Sequence, residues 1–376
     1  MVLVAVLLEC QRLAFLNRWV FRRKCPVSVA ARFQLAGGNA HKLEACGYGL
    51  FHLLGYTPFR QSLSIHRLNQ EDRRMNQKFR GLWPAMLTPL DDAGQPALGE
   101  AEKLVELFVT QRLDGIYLLG STGQGPLINV AQRQALAECV VRTAAGRIPV
   151  MVHVGATATD DSVALAKHAS RIGADAISSV GPIYFRTSTE SVFEHYRQIG
   201  AAGALPFFVY HLSSVNTLSI GGREYVERLL GLPNIAGMKF TDRDLYQLGL
   251  ICSYAGDRLT LFSGADELLC QAAMSGSVGA IGTFYNVWGP ACQAARKAFV
   301  GGSVEAGRRF MATFQRVLDE VLSSQSTWTF LRDAMRIKYG INVGPCRAPL
   351  GTGERPWASA DVERLLADVD HALRDV

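Results

Sequence analysis

From residue 82 onward the chain repeats one unit eight times. A short apolar run rich in β-branched and aromatic residues, closed by Gly, Ser, Thr or Pro, is followed by a stretch of helical periodicity. The strand candidates are 82–88 (LWPAMLT), 115–120 (GIYLLG), 149–155 (PVMVHVG), 176–181 (AISSVG), 206–211 (PFFVYH), 235–240 (IAGMKF), 259–264 (LTLFSG) and 278–283 (VGAIGT). Between them lie helical patterns such as VAQRQALAECVVRTAA and DSVALAKHASRIG, the second opening on Asp160 and Asp161, which are placed to cap it. Helical crossovers of this length join parallel strands, so the repeat predicts a (β/α)8 TIM barrel, with a doubly wound open sheet as the rival. After the eighth strand only helical patterns remain, through WGPACQAARKAFV, SVEAGRRFMATFQRVLDEVL, TWTFLRDAMRIKYG and VERLLADVDHAL. The expected organisation is a barrel over residues 76–287 and a C-terminal helical subdomain over 288–376.

The segment before the repeat is different. Residues 1–80 carry 13 Lys and Arg against 4 Asp and Glu, whereas the whole chain has a net charge of only +6, so the basic excess belongs to this end. Its opening, MVLVAVLLECQRLAFLNRWVFRRK, is apolar first and basic second, the reverse of a secretory signal. A transit peptide, a short surface helix, or an extension without its own fold ahead of a functional protein starting at Met75 all fit residues 1–75. The remainder has no basic footprint of a nucleic-acid binder, and no uninterrupted apolar stretch reaches the ~18 residues of a membrane span. Eight scattered cysteines without a CxxC fit reduced thiols in a cytoplasmic protein.

In a barrel of this kind chemistry gathers at the C-terminal ends of the strands. Here those ends carry Gly120-Ser121-Thr122-Gly123, Pro182-Ile183-Tyr184, Tyr210, Lys239-Phe240-Thr241 and Ser263-Gly264-Ala265-Asp266-Glu267. Lys239 stands between Met238 and Phe240. Burial disfavours an ammonium and leaves a neutral amine able to attack a ketone, although a strand-end lysine paired with a carboxylate fits the same position. The two hydroxyls and small residues of the Gly120–Gly123 turn suit a carboxylate, or merely a strand-to-helix turn. Tyr210 could shuttle a proton or pack, and Asp266 and Glu267 could bind hydroxyls or cap the next helix. His153, His168, His195 and His211 fall on different elements without metal-ligand spacing, and neither GxGxxG nor a Walker lysine motif is present. No metal and no cofactor is therefore expected.

Taken in order, GSTG, the strand-five tyrosine, GMKFT, and SGADE followed by GAIGTFYN resemble the dihydrodipicolinate synthase and N-acetylneuraminate lyase family over about residues 80–350. The resemblance implies a class I aldolase, usually homotetrameric, that forms a Schiff base with pyruvate or another 2-oxo acid. By position Lys239 matches the Schiff-base lysine, Tyr210 the catalytic tyrosine, and Ser121 and Thr122 the holders of the 2-oxo acid carboxylate. Tyr184 matches the tyrosine preceding the family's fourth helix. Synthases that use aspartate semialdehyde carry an arginine where this chain has Val215. Thr241, Gly264, Asp266, Glu267 and Thr283 instead match the lyase branch, where they hold the polyol tail of a sugar acid. The implied activity is cleavage of a 2-oxo-3-deoxy sugar acid, foremost N-acetylneuraminate, to pyruvate and an aldehyde. Two departures, Gln124 for the usual glutamate and His211-Leu212-Ser213 for an Asn-x-Pro, keep open another family activity or a silent 2-oxo acid sensor.

Overall fold

The computed structural model describes residues 77–372, apart from Arg186 and residues 216–219. The basic extension expected over residues 1–75 lies outside the described residues. All eight strand candidates are strands: β1 (Gly81–Pro84), β2 (Ile116–Leu118), β3 (Val150–His153), β4 (Ala176–Val180), β5 (Phe207–Leu212), β6 (Ile235–Thr241), β7 (Thr260–Ser263) and β8 (Gly279–Gly282). They form one parallel sheet in the order β1-β8-β7-β6-β5-β4-β3-β2. Pro84 has no N–H to extend the ladder, so β1 stops there and its seam with β2 is brief. A single bridge, Ala85 to Tyr117, with Met86 N donating to Tyr117 O at 2.9 Å, nearly closes the barrel and excludes the open sheet.

The crossovers are α1 (Leu98–Thr110), α2 (Val130–Ala144), α3 (Thr159–Arg171), α4 (Thr189–Gly200), α5 (Gly222–Leu230), α6 (Leu245–Ala255) and α7 (Leu269–Met274), and α8 (Tyr285–Val300) follows β8. A capping box of Asn129 and Gln132 starts α2. Asp160 and Asp161 do not cap α3. They sit in its first turn, where they face the positive end of the helix dipole, while Ala158 occupies the cap position without a side-chain bond. Helices α9 (Val304–Ser323), α10 (Thr327–Tyr339) and α11 (Ser359–Ala372) pack on α8 and on one another.

Inside the barrel Trp83, Tyr117, Met151, Phe208, Phe262 and Ile281 form one apolar plug. Gly115 makes room for it: a Cβ there would lie 2.3 Å from the Trp83 ring. Beyond this plug, inward positions two residues further along the strands become polar, giving His153 after Met151, Ser178 after Ala176 and Tyr210 after Phe208. On β6 the alternation needs help. Phe207 pairs with Ile235 but Phe208 pairs with Gly237, and this one-residue bulge resets the phase so that Lys239 stands opposite Tyr210.

Candidate active site

Lys239 is 5% exposed, and the partners of its amine are two aromatic faces rather than a carboxylate. Its Nζ lies 4.3 Å from the centroid of the Tyr210 ring and 4.5 Å from that of Tyr117. The two rings meet edge to face at 6.2 Å. Such contacts stabilise a cation by ~0.5–2 kcal/mol yet offer no hydrogen-bond acceptor that would tie the amine down. The Tyr117 hydroxyl donates to Ser178 Oγ at 3.1 Å, and burial, then the neighbouring Tyr210, holds this phenol well above its ordinary range. Tyr117 therefore stays protonated.

His153 completes the buried layer. Its Nε2 accepts from Val180 N at 3.1 Å, which places the proton of a neutral ring on Nδ1. Burial, then the charges of Arg133 and Lys239, keeps it neutral far below its usual titration range. Arg133, itself buried, donates to the carbonyls of His153 (2.8 Å) and Gly155 (2.9 Å) and so pins the end of β3; burial lowers its guanidinium to about 10.

The turn after β2 is built under strain. Leu119 and Gln124 hold left-handed backbones at φ 62° and 55°, costly for residues with side chains. Between them stand Ser121, exposed, and Thr122, buried. The turn is fixed from three sides: Thr88 Oγ1 donates to Gly123 O (2.6 Å), Arg347 N donates to Gln124 Oε1 (2.7 Å), and Thr122 Oγ1 is hydrogen-bonded to Thr283 Oγ1 (2.7 Å). Gln124 thus anchors the chain after α10, a role that a neutral amide fills without burying a charge.

Gly264 has no room for a side chain, because a Cβ would lie 1.8 Å from Thr241 Oγ1 and 2.9 Å from Lys239 Cε. Thr241 Oγ1 is buried without a hydrogen-bond partner, which a substrate hydroxyl could supply. Asp266 is buried, and its Oδ2 accepts from Phe284 N at 2.6 Å, so it ties the β7 and β8 loops together rather than capping a helix. Burial pushes its carboxyl up to about 7, against the pull of the Phe284 amide. Glu267 is half-buried and receives Arg243 Nε at 3.3 Å.

Of the residues expected from the sequence, Lys239 and Tyr210 meet directly, Thr241 and Gly264 adjoin the lysine, and Ser121, Thr122 and Thr283 share one cavity. Tyr184 stands apart. It is 79% exposed, stacks edge to face on Phe185, and lines a separate cavity of ≈310 Å³ with His195. His211, at the departure after Tyr210, stacks on Phe240 (4.8 Å between ring centres) and shares a hydrogen bond with Tyr225 OH; burial lowers it to about 4, so it serves as neutral packing. Among the described residues no group of His, Cys, Asp and Glu is arranged to hold a metal ion.

The profile of the Dihydrodipicolinate synthetase family matches residues 78–365. The chain belongs to that family. With it the protein is an enzyme, a carbon–carbon lyase of the aldolase type. N-acetylneuraminate lyase from Escherichia coli is 32% identical over 280 residues, covering 74% of this chain and 93% of the relative, and that from Citrobacter koseri is 32% identical over 276 residues, covering 73% and 92%. Among solved structures, Proteus mirabilis N-acetylneuraminate lyase superposes with a TM-score of 0.70 at 27% identity, over 78% of this chain and 98% of that one. Ruminococcus gnavus sialic acid aldolase superposes with a TM-score of 0.74 over 79% and 99%; at 24% identity it speaks for the fold alone.

Tyr117, Ser178 and Arg133 are not among the residues expected from the sequence, and His153 enters there only as a histidine without metal-ligand spacing. Tyr117, His153 and Ser178 are legible as polar or hydroxylated residues at inward positions of apolar strands. Arg133 looks like any charged residue of an amphipathic helix, and nothing local marks it as buried.

Proposed function

We propose that the protein is a Schiff-base-forming aldolase that cleaves a 2-oxo-3-deoxy sugar acid, foremost N-acetylneuraminate, to pyruvate and N-acetylmannosamine. The observation that carries this reading is the buried Lys239 amine held between the rings of Tyr210 and Tyr117, with no carboxylate within ion-pair distance among the described residues. Neutral Lys239 attacks C2 of the substrate while the carboxylate rests on Ser121 and Thr122. Loss of water gives an iminium, which draws electrons from the C3–C4 bond as Tyr210 takes the proton of the C4 hydroxyl. The aldehyde leaves, the enamine is protonated at C3, and hydrolysis frees pyruvate and the lysine. Thr241, Gly264, Asp266, Glu267 and Thr283 are the residues assigned to the polyol tail; the four with side chains would offer it hydroxyls and carboxylates, and Gly264 the room. Val215, where a second carboxylate would need an anchor, supports a tail without one.

Tyr184 fits this scheme only in the homotetramer that the resemblance implies. Its exposed ring, beside Phe185, is free to meet a second copy, and sedimentation of the protein with and without Tyr184→Ser tests that part.

Borohydride reduction in the presence of pyruvate tests the core. A mass increase on the peptide containing Lys239, absent in Lys239→Ala, is expected, and a protein that turns over without such an adduct would refute the mechanism. A lactate dehydrogenase-coupled assay across 2-oxo-3-deoxy sugar acids and 4-hydroxy-2-oxoglutarate then fixes the substrate.

A further inference from the structure

At the other end of the barrel lies a cavity of ≈500 Å³. Gly81 and Leu82, which begin β1, and Asp114, which precedes β2, line it, so it sits at the N-terminal ends of the strands, whereas Lys239 stands near the C-terminal end of β6. Three cations share it, Arg112, Arg296 and Lys297. The one carboxylate in its lining is already engaged: Asp114 Oδ2 accepts from Leu82 N at 2.7 Å and from Gln293 Nε2 at 2.9 Å. Among the described residues no carboxylate pairs with any of the three cations. Arg296 Nη2 donates to Ser277 O at 2.9 Å, but its Nε is buried without an acceptor, and burial lowers its guanidinium from the ordinary value. Lys297 lies in the last turn of α8 and Arg112 just past the end of α1, where a cation suits the helix dipole. The dipoles explain neither the desolvation of Arg296 nor the backbone of Arg112, whose φ of 54° belongs to a position that glycine usually fills. A desolvated donor and cations without counter-charge are satisfied together by an anion.

We propose that this cavity binds the phosphate group of a small phosphorylated metabolite, at a site separate from the reaction. Three cations against Asp114 leave a formal charge of +2 in the lining, which matches a phosphate dianion. Two guanidinium forks and an ammonium suit its several oxygens better than they suit a lone carboxylate. The cavity is larger than a phosphate, and the room left over takes the organic body of the ligand. Bound there, the ligand bridges the end of α1 and the last turns of α8 beside the start of β1, and so stabilises the folded barrel by mass action. The proposal is independent of the aldolase reading, since none of these residues is assigned to the reaction.

Calorimetric titration of the full chain with glucose 6-phosphate, at constant ionic strength, tests this. Saturable binding at one site per chain is expected, with affinity falling at least tenfold in Arg112→Gln/Lys297→Gln. Both side chains are exposed, so this variant keeps the fold, and Arg296→Gln should act in the same direction. The affinity should be unchanged in Lys239→Ala and in the presence of pyruvate, which separates this cavity from the hydroxyls assigned to the substrate carboxylate. Succinate, a dianion without phosphate, should bind at least tenfold more weakly. No saturable binding at millimolar concentration, binding that survives in Arg112→Gln/Lys297→Gln, or displacement by pyruvate would overturn the proposal. Equal binding of succinate would overturn the assignment to phosphate.

Discussion

Tyr210 and Lys239 are register partners across the β5–β6 ladder, and the lysine Nζ lies 4.3 Å from the centre of the phenol ring. Under the proposed mechanism this pairing separates two roles of one tyrosine: the ring face holds the amine, and the hydroxyl would move the proton. Tyr210→Phe keeps the face and removes the hydroxyl. Borohydride trapping of pyruvate should persist, while turnover of the sugar acid falls about 10²–10⁴-fold. Loss of trapping together with turnover would show that the hydroxyl is needed before the C3–C4 bond breaks.

Tyr117 offers the same amine a second face at 4.5 Å. Deleting the ring removes a contact worth ~0.5–2 kcal/mol to the amine that it faces. Tyr117→Leu should slow borohydride trapping of pyruvate several-fold, because the amine loses one of the two faces that position it. Tyr117→Phe, which keeps the ring and loses only the bond to Ser178, should trap at the ordinary rate. Equal rates in all three proteins would reduce Tyr117 to packing.

Asp266 makes stability depend on pH in an unusual direction for a carboxylate. Its pKa rises from 3.8 to about 7, first because it is buried. Between these values the folded state binds the extra proton, so the contribution of protonated Asp266 is complete below about 4 and is lost as pH rises to about 7. Thermal unfolding across this window should show a downward slope from this group, worth of order a few kcal/mol in total. In Asp266→Asn that slope should vanish, whatever the variant's absolute stability. An unchanged pH profile would place Asp266 in its ordinary range.

Much of this architecture is legible in the chain. Periodicity marks the eight strands because each is apolar on both sides, one against the plug and one against the helices. Lys239 is visible as the charge at the end of such a run. What hides is phase. The bulge between Ile235 and Gly237 decides which way Lys239 points, and IAGMKF contains nothing that announces it beyond a glycine. Arg133 and the segment around Arg347 are hidden for another reason: their partners, the carbonyls of His153 and Gly155 and the side chain of Gln124, are distant in sequence, and a turn type or helix face read locally carries no trace of them. The same holds for Asp160 and Asp161, whose composition suggests a cap although the helix starts one residue earlier, at Thr159.

Gly264 is required by space. An added methyl would collide with Thr241 Oγ1 and press on Lys239 Cε. Gly264→Ala should cost about 1–3 kcal/mol of stability, read from denaturant unfolding. It should also slow trapping of pyruvate, because the lysine stem has to move. A variant of full stability and normal trapping would mean that Thr241 rotates away freely.

Thr122 and Thr283 follow β2 and β8 and share one hydrogen bond of 2.7 Å, although the family resemblance sends them to opposite ends of the substrate. Under the proposed function this bond would couple the carboxylate site to the tail site: whichever hydroxyl donates to the other cannot also donate to substrate. Thr283→Val should leave Thr122 without its partner and raise KM, while Thr283→Ser keeps the bond. In a cycle of Thr122→Val, Thr283→Val and the double variant, the effects on kcat/KM should fail to add, with a coupling of about 0.5–1.5 kcal/mol. Strict additivity would show that the two hydroxyls act on substrate independently, with the bond between them broken once substrate is bound.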